Sequence, residues 1–98
     1  TVSAPSGRTI EVRYEGRAFV PRSVTVRVGD AVVWRNEDDG LMWPASDDHP
    51  THQGYPGFDA GRPVASGGSW SFTFDRAGVW GYHNHMTQRV EGQVIVQE

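Results

Sequence analysis

The sequence predicts an all-β domain, a Greek-key β-sandwich of six to eight strands. Three observations carry this expectation. Valine occurs 13 times, against two isoleucines and one leucine, and β-branched residues fit a pleated, half-buried surface better than a helix. Twelve glycines and six prolines interrupt the chain every few residues, which keeps elements short. No window carries the helical apolar period, whereas several alternate apolar with polar residues.

The elements follow in order. Ile10, Val12 and Tyr14 alternate with Glu11, Arg13 and Glu15 and predict a half-buried strand over 8–15. Val24, Val26 and Val28 predict the next, closed by a Gly29-Asp30 turn. A strand over 31–36 puts Val32 and Trp34 on one face. Trp70, Phe72 and Phe74 alternate with Ser71 and Thr73. Arg76-Ala77-Gly78 turns into a strand over 79–85 with Trp80 and Tyr82 on one face, and a valine-rich strand over 93–97 closes the chain. Between these lies 37–68, with Pro44, Pro50, Pro56, Pro63 and six glycines. It predicts one long loop, of the kind that usually carries function. Tyr55 and Phe58 are expected to pin it to the sandwich.

Length and charge bound the function. The 98 residues suit one domain, expected to span 1–98 with 1–7 as a flexible head. Apolar residues at 37% and charged residues at 21% exclude a disordered polar chain. All nine basic residues are arginine and the net charge is −3, too little positive charge for a nucleic-acid binder. No apolar run is long enough to insert into a membrane as a helix. Without cysteine there is no disulfide, thiolate metal site or cysteine nucleophile. No G-x-S-x-G motif supports Ser-His-Asp catalysis.

Three segments together resemble the cupredoxin family. They are Phe19-Val20-Pro21 running on to Val24-Thr25-Val26-Arg27-Val28-Gly29-Asp30-Ala31-Val32-Val33-Trp34-Arg35-Asn36, then Gly67-Gly68-Ser69-Trp70-Ser71-Phe72-Thr73-Phe74, then Gly78-Val79-Trp80-Gly81-Tyr82-His83 closing on Gly92-Gln93-Val94-Ile95-Val96. The resemblance covers roughly 10–98 and implies the cupredoxin sandwich, an exported protein (periplasmic or extracellular) and copper. It does not carry the family's blue copper ligands. The thiolate position falls on Asn84, the later histidine near Thr87, the axial methionine near Val90 and the upstream histidine on Met42. Without a thiolate no blue charge-transfer site forms.

Tyr82-His83-Asn84-His85-Met86 is instead similar to the Y-H-S-H motif of multicopper oxidases. The upstream H-W-H of those enzymes is Met42-Trp43-Pro44 here, so one chain cannot complete a trinuclear cluster. In a strand, His83 and His85 share a face opposite Asn84. His49 and His52 form the other close pair, in the loop beside Asp47 and Asp48. Imidazole suits copper, zinc and nickel. The expected metal ligands are therefore His85, His83, His49 and His52, for copper first and zinc second, with Met42 a weaker candidate as a soft thioether or else a core side chain. Structural histidines are the alternative.

Two functions follow. One is a copper-binding protein with a cysteine-free histidine site, engaged in copper handling or type 2-like redox chemistry. Its partners would be a redox or copper-donor protein, or a homo-oligomer completing an interchain site. The other is a metal-free interaction module. In that reading Glu37-Asp38-Asp39, otherwise a solvated turn, docks a basic partner.

Overall fold

The structure, a computed structural model, describes residues 7–46 and 57–98. Among these the chain forms eight strands and no helix, as the valine and glycine pattern predicts. The strands are β1 (Thr9–Glu15), β2 (Ala18–Val20), β3 (Ser23–Arg27), β4 (Ala31–Asn36), β5 (Pro44–Ser46), β6 (Ser69–Thr73), β7 (Gly78–Asn84) and β8 (Thr87–Gln97). One sheet runs β2-β1-β4-β6 and the other β3-β8-β7-β5. β1 lies parallel to β4 and β3 parallel to β8, while the other pairings are antiparallel.

Each inner face is set by alternation. Val12, Tyr14, Val24, Val26, Val32, Trp34, Tyr82, Val94 and Val96 are buried, and their sequence neighbours are mostly polar. Trp34 is the hub, with ring centres 5.3 Å from Trp70, 5.4 Å from Phe58 and 5.3 Å from Tyr82. Phe58 comes from the long loop and is fully buried, so it does pin that segment to the core. Tyr55 lies outside the described residues.

The stretch 37–68 departs from the expected single loop. β5 lies within it, and Met42 bridges Val64 while Ala45 bridges Asp59. The organising residue is Asn36. Its buried side-chain amide donates to the carbonyls of Gly40 and Val64, both at 2.8 Å, and its Oδ1 accepts the Asp38 N–H. One side chain thus supplies the partners that a ladder would otherwise supply.

Asp30 acts similarly. Its carboxylate is fully buried and accepts the backbone N–H groups of Arg8 (3.2 Å) and Arg27 (2.9 Å), with the Arg8 guanidinium at 3.0 Å. It joins the start of β1 to the β3–β4 turn. Asp30→Ala strands two partly buried donors, so we expect a loss of about 1–3 kcal/mol, read as a lower urea midpoint at unchanged slope. A midpoint equal to the parent's would remove Asp30 from the framework.

Two local features matter below. The β1–β2 turn places Arg17 at φ 60°, the one described non-glycine residue in the left-handed region, with its N–H held by Asp38 Oδ2 at 2.8 Å. For a residue with a Cβ that conformation costs roughly 1–2 kcal/mol. In the second sheet β3 pairs only with Gln93–Gln97 of β8, so its first half, 87–92, has β7 alone as a ladder partner.

Candidate metal site on the outer face of β7

Along β7 the inward positions are Trp80, Tyr82 and Asn84, the last two fully buried. Val79, at 61% exposure, marks the opposite face, and alternation puts His83 there. The strand ends at Asn84, so His85 is the first turn residue and not the last strand residue as the sequence suggested. Its ring still lies with that of His83, at 6.2 Å between centres. His85 is exposed, whereas His83 is buried at 9%, beside a register shift between His83 and Asn84 in the β7–β8 ladder.

The turn is held from inside. Asn84 Oδ1 accepts the N–H of Met86 (3.1 Å), an Asx-type closure, and also the N–H of Trp43 (2.9 Å). Its amide nitrogen donates to the Leu41 carbonyl at 3.4 Å. His85 N–H donates to the Trp43 carbonyl at 2.7 Å. The Trp43 ring stands 4.5 Å from that of His85, and its indole N–H donates to Asp59 Oδ1 at 2.6 Å. The backbone of His85 is therefore held by the Trp43 main-chain carbonyl, and one flank of its ring is met by the Trp43 indole, itself held by Asp59. Neither Trp43 nor Asp59 carries a spacing signal that would have joined them to His85 in the sequence. Trp43 alone, at the start of the loop, hints at a shield.

Inside the sandwich the residues do not suit a metal. Met42 is fully buried in the core cluster and is a core side chain. Asn84 spends its carboxamide on backbone groups. Thr87 is exposed and Val90 packs against the core edge. His49 and His52, with Asp47 and Asp48, lie outside the described residues. Among the described residues no three of His, Cys, Asp and Glu cluster closely enough to hold an ion.

The acidic loop is held as well as solvated. Asp38 accepts the N–H groups of Arg17 and Gly40, and these bonds, the Arg17 one foremost, hold its carboxyl below the ordinary aspartate range. Glu37 and Asp39 are exposed.

No protein-family model and no curated protein matches the sequence. Solved structures do match in fold. A purple cupredoxin from Nitrosopumilus maritimus superposes with a TM-score of 0.78 at 20% identity, covering 90% of this chain and 99% of that one. A copper(I) form of an amicyanin variant gives 0.78 at 22% identity over 96% and 86%. An oxidised form of another amicyanin variant gives 0.78 at 22% identity over the same shares. The fold is thus that of the cupredoxins, a Greek-key sandwich of two mixed sheets. At these identities the likeness concerns architecture.

Proposed function

We propose that this is a cupredoxin-fold copper-binding protein whose metal sits outside the sandwich, with His83 and His85 as its core ligands. The observation that carries the reading is the pair of rings 6.2 Å apart on one side of β7. An imidazole nitrogen lies ~2.0–2.1 Å from a bound ion, so two ring centres sharing one ion stand at most roughly 6–6.5 Å apart. The observed spacing matches a nearly opposed pair, which suits the tetragonal preference of Cu(II) better than the tetrahedral preference of Zn(II). The absence of cysteine and the engagement of Asn84 support a site of type 2 character, not a blue one. A two-histidine core leaves positions for further ligands. His49 and His52, or a second copy of the chain, are the sources we assign to them. A copper-donor or redox protein is the matching partner, and a periplasmic or extracellular setting follows from the cupredoxin resemblance.

Metal content and a Cu(II) titration test this. We expect about one copper per chain, with weak visible absorption and no intense thiolate band. Zinc should bind more weakly, following the Irving–Williams order. Protons compete for imidazole nitrogen, so affinity should fall between about pH 7.5 and about pH 5. Equal affinity at both values would remove histidine as the ligand.

The second reading is the metal-free interaction module. It is favoured by the closed inner site and by the lack of a three-residue ligand cluster among the described residues. Failure to retain stoichiometric copper at neutral pH would select it.

A further inference from the structure

We propose that the protein carries an anion site, bordering His83 through its cross-strand partner Glu91, that takes a phosphate-bearing ligand between β2 and the first half of β8. The groove there is about 270 Å³ and is walled by Arg17, Arg22 and Arg89, with Phe19 and Val90 beneath and Glu91 on one side. Three of the chain's nine cationic residues thus face one small concavity in a protein of net charge −3. None of the three guanidinium groups forms an ion pair among the described residues, not even with Glu91 across the groove. Arg8, Arg13 and Arg35, elsewhere on the surface, each have a carboxylate partner. Unpaired like charges held close together repel, and a shared anion removes that repulsion.

The topology builds this groove from three separate elements. Arg17 is in the β1–β2 turn, Arg22 leads from β2 into β3, and Arg89 lies on the part of β8 that β3 leaves unpaired. Arg17 adds a second, independent observation. A tight hairpin turn with positive φ at both central positions favours Asn-Gly or Gly-Gly, yet here Gly16 is followed by an arginine in the left-handed region. Backbone strain of this kind concentrates at binding sites, where the side chain is needed. Glycine would serve the turn better, and only the arginine serves the groove.

The chemistry selects the ligand class. Guanidinium groups present planar, paired N–H donors that match phosphate oxygens. The volume suits one or two phosphate groups and not a length of polypeptide or nucleic acid. Three guanidinium groups outnumber Glu91 in the groove and Asp38 at the Arg17 backbone, which leaves the lining net positive, the sign a phosphate group needs.

Calorimetric titration with inorganic pyrophosphate, without added metal and at low salt, tests the proposal, with inorganic sulfate as the comparison for a single tetrahedral dianion. Pyrophosphate is expected to bind at least about tenfold more tightly than sulfate, and the doubly substituted R22Q/R89Q to weaken it by at least about tenfold, while R62Q binds like the parent. R17G is expected to raise the Tm by relieving the turn and to weaken pyrophosphate binding severalfold. A merely structural arginine would not couple those two effects. Pyrophosphate bound no better than sulfate, or bound equally by R22Q/R89Q, overturns the site. R17G that binds like the parent overturns the role of the strained turn.

Discussion

Gly92→Ala is expected to cost about 3 kcal/mol or more. Gly92 is the cross-strand partner of Tyr82 in the β7–β8 ladder. A Cβ there would run into the Tyr82 ring, against its Cζ and hydroxyl oxygen and within 2.7 Å of Cε1. The ring has nowhere to go. Tyr82 is fully buried, 4.9 Å from Phe19, 5.3 Å from Trp34 and 5.5 Å from Phe58 between ring centres. Interiors at crystal-like density absorb an added methylene only by moving backbone or eclipsing side chains, at 1–3 kcal/mol and occasionally more. A domain with roughly 5–15 kcal/mol in total then loses a large share. The substitution needs no positive φ, so the cost is steric and not conformational.

A double-mutant cycle separates this from a general weakening of the sheet. Tyr82→Ala alone leaves a cavity, and Gly92→Ala in that background has room for its methyl. The two losses should therefore sum to more than the double variant shows, by at least about 1 kcal/mol. Additive losses would mean that Gly92 is needed for backbone reasons. The phenol adds a second consequence. Burial pushes its ionisation well above the ordinary tyrosine range, and its hydroxyl has no hydrogen-bond partner among the described residues. The unpartnered hydroxyl thus subtracts from the stability that the ring contributes.

Strands with strict alternation were legible in the sequence to within a residue or two, because burying one face of a pleated strand demands the period of two. β1, β4 and β6 are of this kind. β5 was not legible, because Pro44-Ala45-Ser46 has no alternation and forms a strand by pairing with β7. β2 is three residues long, and the first half of β8 is polar and held by its hairpin. The long loop gained order from Asn36, whose three side-chain bonds leave no mark on spacing or composition. The nearness of the His83 and His85 rings matches what the period of two suggests, although His85 falls beyond the strand and a register shift follows His83. The burial of His83 was not legible, since an outward position is read as exposed. Nor was the hold on His85, which depends on Asn84 and Trp43 meeting across strands.

That hold decides what His85→Ala should do. The turn is fixed by the Asn84 side chain and by the His85 N–H to the Trp43 carbonyl, and all of these bonds survive the substitution. The imidazole is exposed and leaves no core cavity. The variant should therefore fold like the parent, with an unchanged circular dichroism spectrum and a Tm within a few degrees. If copper binds as proposed, its affinity should fall at least tenfold, about 1.4 kcal/mol, because the ring removed is one of the two that stand 6.2 Å apart before any metal arrives. A ligand positioned before the metal arrives contributes its full bond, whereas one on a segment that must be ordered gives up roughly 1–2 kcal/mol per residue fixed. His49→Ala and His52→Ala should accordingly lose less than His85→Ala. The competition is direct: three variants, one Cu(II) titration each, against one displaceable chelator. If His85→Ala binds like the parent while a loop variant does not, the copper is centred on the loop, and the likeness of Tyr82-His83-Asn84-His85 to the oxidase motif carries no function here.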